Sequence, residues 1–265
     1  MSLIFCNGAP ASAQQLGAVA LINYGHFTTL QVRNGATLGL DLHLQRLQEG
    51  SRALFGQALE PQQLRAHLRA ALAASAMADA SLRVTVFAPD YDFRNPLREV
   101  ALEVMVALSP PADMPEAGLR AQLAEYVRER PDLKHVGTFP LLHLRRLAMQ
   151  AGHDDVVLHD RQGRVLEGAF WNLGFWQRGG VVWPQGPALR GTRQQLLQAG
   201  LTALGIAQVS RPVELGELER FDGAFACNAR GQQAIVALGP ARWAPHAAQL
   251  PLLERALQTR AWQAI

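Results

Sequence analysis

Three prolines fall within six residues in the stretch Pro110-Pro111-Ala112-Asp113-Met114-Pro115. Each fixes φ and removes a backbone donor, so the stretch can be neither helix nor central strand. It reads as a linker, and a chain of 265 residues is long enough for two modest domains. The expected division is a small domain over residues 1–110, a linker over 111–117 and a larger domain over 118–265.

Hydrophobic spacing on the two sides of this break is mixed. Strand-like pieces fall at 3–6, 26–32, 82–88 and 99–108, and a turn is expected at Asn34-Gly35. Asp41 is placed to cap a helix over 42–55, and an Ala/Leu-rich helix follows Pro61 to about residue 77. Beyond the linker come strands near 119–127, 155–159, 181–183, 222–227 and 234–238. Helices are expected at 141–150, 192–204 and from 250 onward. Strands and helices do not alternate strictly and nothing repeats, so the fold class is α+β rather than a doubly wound parallel sheet.

Composition excludes several roles. No apolar run approaches the roughly 18 residues of a membrane span. The N-terminus lacks a basic segment, and its apolar stretch is too short for a secretory signal. Two cysteines, Cys6 and Cys227, make neither a disulfide scaffold nor a cysteine-built zinc site, so a cytoplasmic protein is expected. Net charge is +3 and the arginines are scattered, which speaks against a nucleic-acid partner. No Gly-x-Gly pair, P-loop or Gly-x-Ser-x-Gly elbow exists. His153-Asp154-Asp155 suits a turn better than a metal site, and no metal is expected.

One composition detail is more informative. Of 25 basic residues, Lys134 is the only lysine. Arginine does not replace lysine where a deprotonated amine must act as nucleophile, so Lys134 is either a solvated remnant or a reactive amine. Its surroundings supply Glu167-Gly168-Ala169-Phe170-Trp171-Asn172, then Leu189-Arg190-Gly191-Thr192-Arg193 opening a helix, and earlier His43-Leu44-Gln45-Arg46-Leu47. These parts suit pyridoxal 5'-phosphate. A lysine forms the Schiff base, and a carboxylate facing the pyridine nitrogen favours its protonated form. A Gly-Thr turn at a helix N-terminus, with an arginine, receives the phosphate.

These motifs, in this order, resemble the fold-type-IV pyridoxal phosphate enzymes, the class IV aminotransferases and 4-amino-4-deoxychorismate lyases. The resemblance covers nearly the whole chain and is strongest between Lys134 and Arg193. It implies Lys134 as catalytic residue and Lys134, Glu167, Arg46, Gly191, Thr192 and Asn228 as cofactor ligands. It also implies a small N-terminal α/β domain, a larger C-terminal pseudobarrel domain with the cofactor between them, and a homodimer. Phe27-Thr28-Thr29, Leu133-Lys134-His135 and Cys227-Asn228-Ala229 look lyase-like. The phosphate turn is one residue shorter than the common form, and Phe139 stands where many aminotransferases carry a tyrosine that reaches the cofactor's ring oxygen.

Each residue also has a plainer reading: Glu167 as a turn cap, Arg46 as a solvated arginine, Thr192 as an N-cap and Asn228 as a turn residue. Tyr24, Phe27, Arg94 and Arg98 are candidate substrate contacts, the arginines for a carboxylate, against surface or packing roles. The expected activity is transfer of an amino group between an amino acid or amine and a 2-keto acid. The alternative is elimination from aminodeoxychorismate to 4-aminobenzoate and pyruvate, and a third reading is a family member without catalysis.

Overall fold

A computed structural model describes residues 3–265. The chain divides into two compact units. The first takes the chain up to Ala112 together with Leu133–Gly137 and Trp262–Ile265, and the second takes Asp113–Asp132 and Thr138–Ala261. Lys134 therefore groups with the first unit, although the linker reading assigned it to residues 118–265.

The first unit is built from β1 (Leu3–Cys6), β2 (Ala9–Pro10), α1 (Ala13–Ile22), β3 (Gly25–Val32), β4 (Ala36–Leu38), α2 (Leu40–Phe55), α3 (Pro61–Ser75), β5 (Ala80–Phe87) and β6 (Glu103–Ser109). Five strands form an antiparallel sheet in the order β2-β1-β6-β5-β3. Side chains alternate across a strand. Leu30, Val32, Leu82, Val84, Val86, Val104, Val106 and Leu108 point to one face and meet Leu44, Leu47, Leu64 and Leu68 of α2 and α3. Each such leucine, buried to within a few per cent, contributes about 1.5–3 kcal/mol of transfer free energy. The opposite face carries Phe27, Thr29, Arg83 and Thr85, since Phe27 pairs with Thr85 and Thr29 with Arg83. A short strand, Trp262–Ala264, returns to pair with β4.

The second unit comprises β7 (Leu119–Glu125), α4 (Phe139–Gln150), β8 (Asp155–His159), β9 (Val165–Gly168), β10 (Asn172–Gln177), β11 (Gly180–Pro184), α5 (Thr192–Ala203), β12 (Gln208–Arg211), β13 (Gly223–Asn228), β14 (Gly231–Leu238), β15 (Ala241–Arg242) and α6 (Leu250–Gln258). Its nine-stranded sheet runs β12-β11-β10-β13-β14-β7-β8-β9, with β15 on β14. Strand β9 comes back against β10 and β11, so the sheet curls toward closure. Phe175, Val157, Val182, Ala224 and Ile235 fill the interior. Trp176 and Trp183 are buried with their indole N–H groups on Ala248 O at 2.8 Å and Gln208 Oε1 at 2.9 Å. The α+β class and the curled sheet match the expectation.

Several local expectations shift. Helix α1 was not anticipated, although Ser12 and Gln15 form a reciprocal capping box at its start. Its apolar residues, none of them buried, lack the one-sided spacing by which helices are recognised. Asp41 does not cap α2. Gly39, in the left-handed region at φ 69°, is the N-cap, and Asp41 lies in the first turn where its charge meets the helix dipole. Strand β6 starts at Glu103 rather than residue 99. The turn at Asn34-Gly35 forms as expected, with both residues at positive φ. Among the described residues no helix is long and apolar enough to cross a membrane.

Candidate functional site

In the first unit the residues around Lys134 behave as an added strand. Phe27 N–H donates to Lys134 O at 2.9 Å and Val136 N–H to Gly25 O at 3.0 Å, with His26 bridged to His135. β3 is an edge strand of the five-stranded sheet, so residues 134–136 occupy the backbone groups it leaves open. This fixes Lys134 beside Phe27, and its Nζ lies 4.8 Å from the Phe27 ring centroid. The Arg83 guanidinium lies over the same ring at 3.6 Å. Two cations thus share one buried aromatic, each held by the negative face of its ring.

Behind this face, His43 and Arg46 sit one turn apart on α2. Thr28 Oγ1 meets His43 Nδ1 at 2.7 Å, so Thr28 serves the helix–sheet contact on the face opposite Phe27. Arg46 is half-buried. Tyr24 stacks on Tyr91 at 4.5 Å and donates its hydroxyl to Leu54 O at 3.1 Å. Arg94 and Arg98 lie exposed in the segment between β5 and β6, Arg94 over the Phe93 ring at 4.7 Å and Arg98 donating to Asp90 O. Neither is brought to Lys134 by a contact within the unit.

In the second unit Glu167 is the penultimate residue of β9, buried, with Arg128 Nη1 3.6 Å from its Oε1 and the Leu189 N–H donating to that oxygen at 3.1 Å. Asn172 opens β10 and donates from Nδ2 to Leu189 O at 2.7 Å. The Glu-Gly-x-x-x-Asn spacing therefore holds Leu189 from both sides of its backbone. Gly191 follows, and a Cβ there would collide with Asn172 Oδ1. Gly191, not Thr192, is the N-cap of α5; Thr192 is its first residue and is buried. Asn228 closes β13, one residue beyond the Asn172–Cys227 pair, accepts the Arg230 N–H on Oδ1 at 2.9 Å, and has its carbonyl held by Arg193 Nε at 3.2 Å.

The arrangement in the second unit fits a phosphorylated pyridine cofactor. A buried carboxylate paired with a buried guanidinium suits a pyridine nitrogen. A helix N-terminus opened by a glycine that tolerates no side chain suits a phosphate dianion. Phe139 does not belong to this arrangement: it is 75% exposed and stacks on His143 at 5.6 Å. Both thiols are buried, and burial pushes Cys6 and Cys227 up to about 12; for Cys6 the neighbouring Glu103 adds to this. Among the described residues no three His, Cys, Asp or Glu side chains converge as metal ligands. Asp154 is instead paired with Arg120 at 3.0 Å.

Three participants were absent from the sequence reading as site residues. Arg128 and Arg83 carry no local spacing signal among so many arginines. Asn172 was visible as a motif position but had no role assigned.

A family model described as amino-transferase class IV matches residues 25–236. The chain belongs to the class IV aminotransferase family. Solved structures of similar fold include branched-chain amino acid aminotransferase from Escherichia coli, at 18% identity and TM-score 0.82 over 94% of this chain and 92% of that one. A hypothetical aminotransferase from Mycobacterium tuberculosis in a PLP-bound form matches at 21% identity and TM-score 0.78, over 97% and 99%. A Legionella pneumophila structure provisionally named 4-amino-4-deoxychorismate lyase matches at 16% identity and TM-score 0.80, over 91% and 92%. No curated protein sequence matches the chain.

Proposed function

We propose that the protein is a pyridoxal 5'-phosphate-dependent aminotransferase that moves an amino group from an amino acid or amine to a 2-keto acid. The donor leaves as its keto product and the acceptor leaves as the new amine. The observation that carries this reading is the placement of the only lysine of the chain, in a segment, residues 134–136, locked to β3 by two backbone hydrogen bonds, with its amine over the Phe27 ring.

When bound, the cofactor supplies an aldehyde to take up the amine and a ring to accept the electron pair released at the substrate's Cα. Lys134 would hold the cofactor through Nζ, and its freed amine would serve as the base that takes the proton from the substrate's Cα. Glu167, held in place by Arg128 and the Leu189 N–H, would hold the cofactor through its ring nitrogen. Gly191, Thr192, Asn228 and Arg46 would hold the phosphate. Arg83 is better placed than Arg94 or Arg98 to receive a substrate carboxylate, because it shares the Phe27 ring with Lys134 whereas the other two contact Phe93 and Asp90. Tyr24 and Phe27 line the apolar side of the substrate. A cytoplasmic homodimer belongs to the same reading and rests on the family resemblance.

Elimination from aminodeoxychorismate is the second outcome to test, supported by the Legionella likeness and by the lyase-like segments. Two of those segments weigh less than their sequence suggests: Thr28 is engaged by His43 and Cys227 is buried in the β10–β13 pair. The test is a visible spectrum of purified protein with pyridoxal phosphate, before and after borohydride, beside Lys134→Ala. A band that borohydride bleaches, absent in the variant, is expected. Screening amino donors with keto acids, and aminodeoxychorismate alone, then separates transfer from elimination. A wild-type protein without a band would leave a family fold without its chemistry.

A further inference from the structure

We infer that Asn172 is a positioning residue for the phosphate turn, tying its geometry to the Glu167 carboxylate through Leu189. The inference rests on the pyridoxal phosphate reading above and adds to it a residue that the motif left without a role. Leu189 is gripped twice: Glu167 Oε1 accepts its N–H at 3.1 Å, and Asn172 Nδ2 donates to its carbonyl at 2.7 Å. Two residues on, Gly191 packs so closely on Asn172 Oδ1 that a Cβ has no room. Asn172 itself is 9% exposed and anchored in the ladder opposite Cys227, so it is a rigid reference for the turn. The path from β10 to the first turn of α5 therefore runs through one side-chain amide. Because the turn has few residues with which to adjust, that amide decides where the N–H groups of α5 point.

The chemistry asks for both ends of the amide. Nδ2 must donate, because its partner is a carbonyl oxygen, and only an amide does this while keeping the planar shape that meets Gly191. Aspartate has the same shape and no donor; in addition its charge opposes a phosphate. The two substitutions Asn172→Ala and Asn172→Asp thus fail in the same function for different reasons. A substitution that only loosened the unit would weaken every ligand alike.

The experiment measures binding of pyridoxal phosphate and of pyridoxal, which lacks the phosphate, by visible titration of wild type, Asn172→Ala and Asn172→Asp. Urea unfolding of each unliganded protein is run in parallel. Losing the bond that aims the phosphate donors is expected to weaken pyridoxal phosphate about tenfold or more while changing pyridoxal little. Equal weakening of both ligands, or of neither, overturns the inference. Asn172→Asp, nearly isosteric, keeps the test available if Asn172→Ala does not fold. If wild type binds no pyridoxal phosphate, the cofactor reading fails by itself. The inference is then decided by the thermal shift that inorganic phosphate produces: present in wild type and lost in both variants supports it, and any other pattern ends it.

Discussion

Arg128 Nη1 lies 3.6 Å from Glu167 Oε1, and both side chains are 7% exposed or less. A buried ion pair of this kind contributes little net stability while intact, because desolvation offsets most of the attraction. Its value is in fixing a position: the guanidinium and the Leu189 N–H together hold the Glu167 carboxylate at one place in the interior.

Arg128→Met is therefore expected to destabilise the unliganded protein by about 3–5 kcal/mol, the usual cost of removing one partner of a buried ion pair. Arg128→Met with Glu167→Gln should recover most of that loss. Urea unfolding of the two single variants and the double variant measures the coupling. Additive losses would show that the pair does not act as a unit.

His26 is buried on β3 with Nε2 3.0 Å from Ser51 Oγ, and burial pulls its imidazole down to about 4. The folded state thus prefers the neutral ring, whereas the unfolded chain takes up a proton near pH 6.5. Stability is complete above pH 6.5 and is lost progressively as the pH falls toward 4, by about 3 kcal/mol from this residue. Unfolding free energies at pH 7.5 and 4.5 check this. His26→Gln, which keeps a polar partner for Ser51, should flatten the dependence in that window.

Arg83→Met should raise KM for both amino acid and keto acid about tenfold or more and lower kcat less, since a carboxylate contact is made in ground and transition states alike. Arg94→Met and Arg98→Met should leave KM near wild type. Steady-state kinetics of the three variants decide the assignment, and an unchanged KM in Arg83→Met removes it.

The two thiols offer a simple check on the packing. Both are buried and held protonated, with Cys6 donating to Glu103 Oε2 at 3.2 Å. Neither should react with a disulfide reagent at pH 8 in the folded protein, and two equivalents should appear on unfolding. Prompt labelling of the native protein would falsify the burial of at least one of them.

What could be read in advance follows the range over which each interaction acts. Lys134 stands out in the sequence because composition isolates it, and Glu167 and Asn172 stand out as a motif because one β9–β10 connection fixes their spacing. Arg128 does not, because it lies just past β7 and meets Glu167 of β9 across the intervening strand β8, and nothing near Arg128 in the chain marks it. Arg83 was hidden in the same way. Its partner Phe27 lies on the neighbouring strand, paired by register rather than by spacing. Arg94 and Arg98 stood out because they lie in a polar, turn-rich segment, where arginine is common for reasons of solvation. The boundary of the units was partly legible: the prolines mark the first exit of the chain at Ala112, but the return at Leu133–Gly137 depends on hydrogen bonds to β3 that no local pattern announces.

The pairing of residues 134–136 with β3 bears on how the protein must be made. As the chain leaves a ribosome, β3 exists with its outer edge bare until more than a hundred further residues have emerged. The hairpin strand β4 waits longer still for Trp262–Ala264. During that interval an open strand edge is available to any other nascent chain. Lys134 is thus part of the seal that ends this exposure, and truncations short of residue 137 should fail by aggregating rather than by folding into a stable shorter unit.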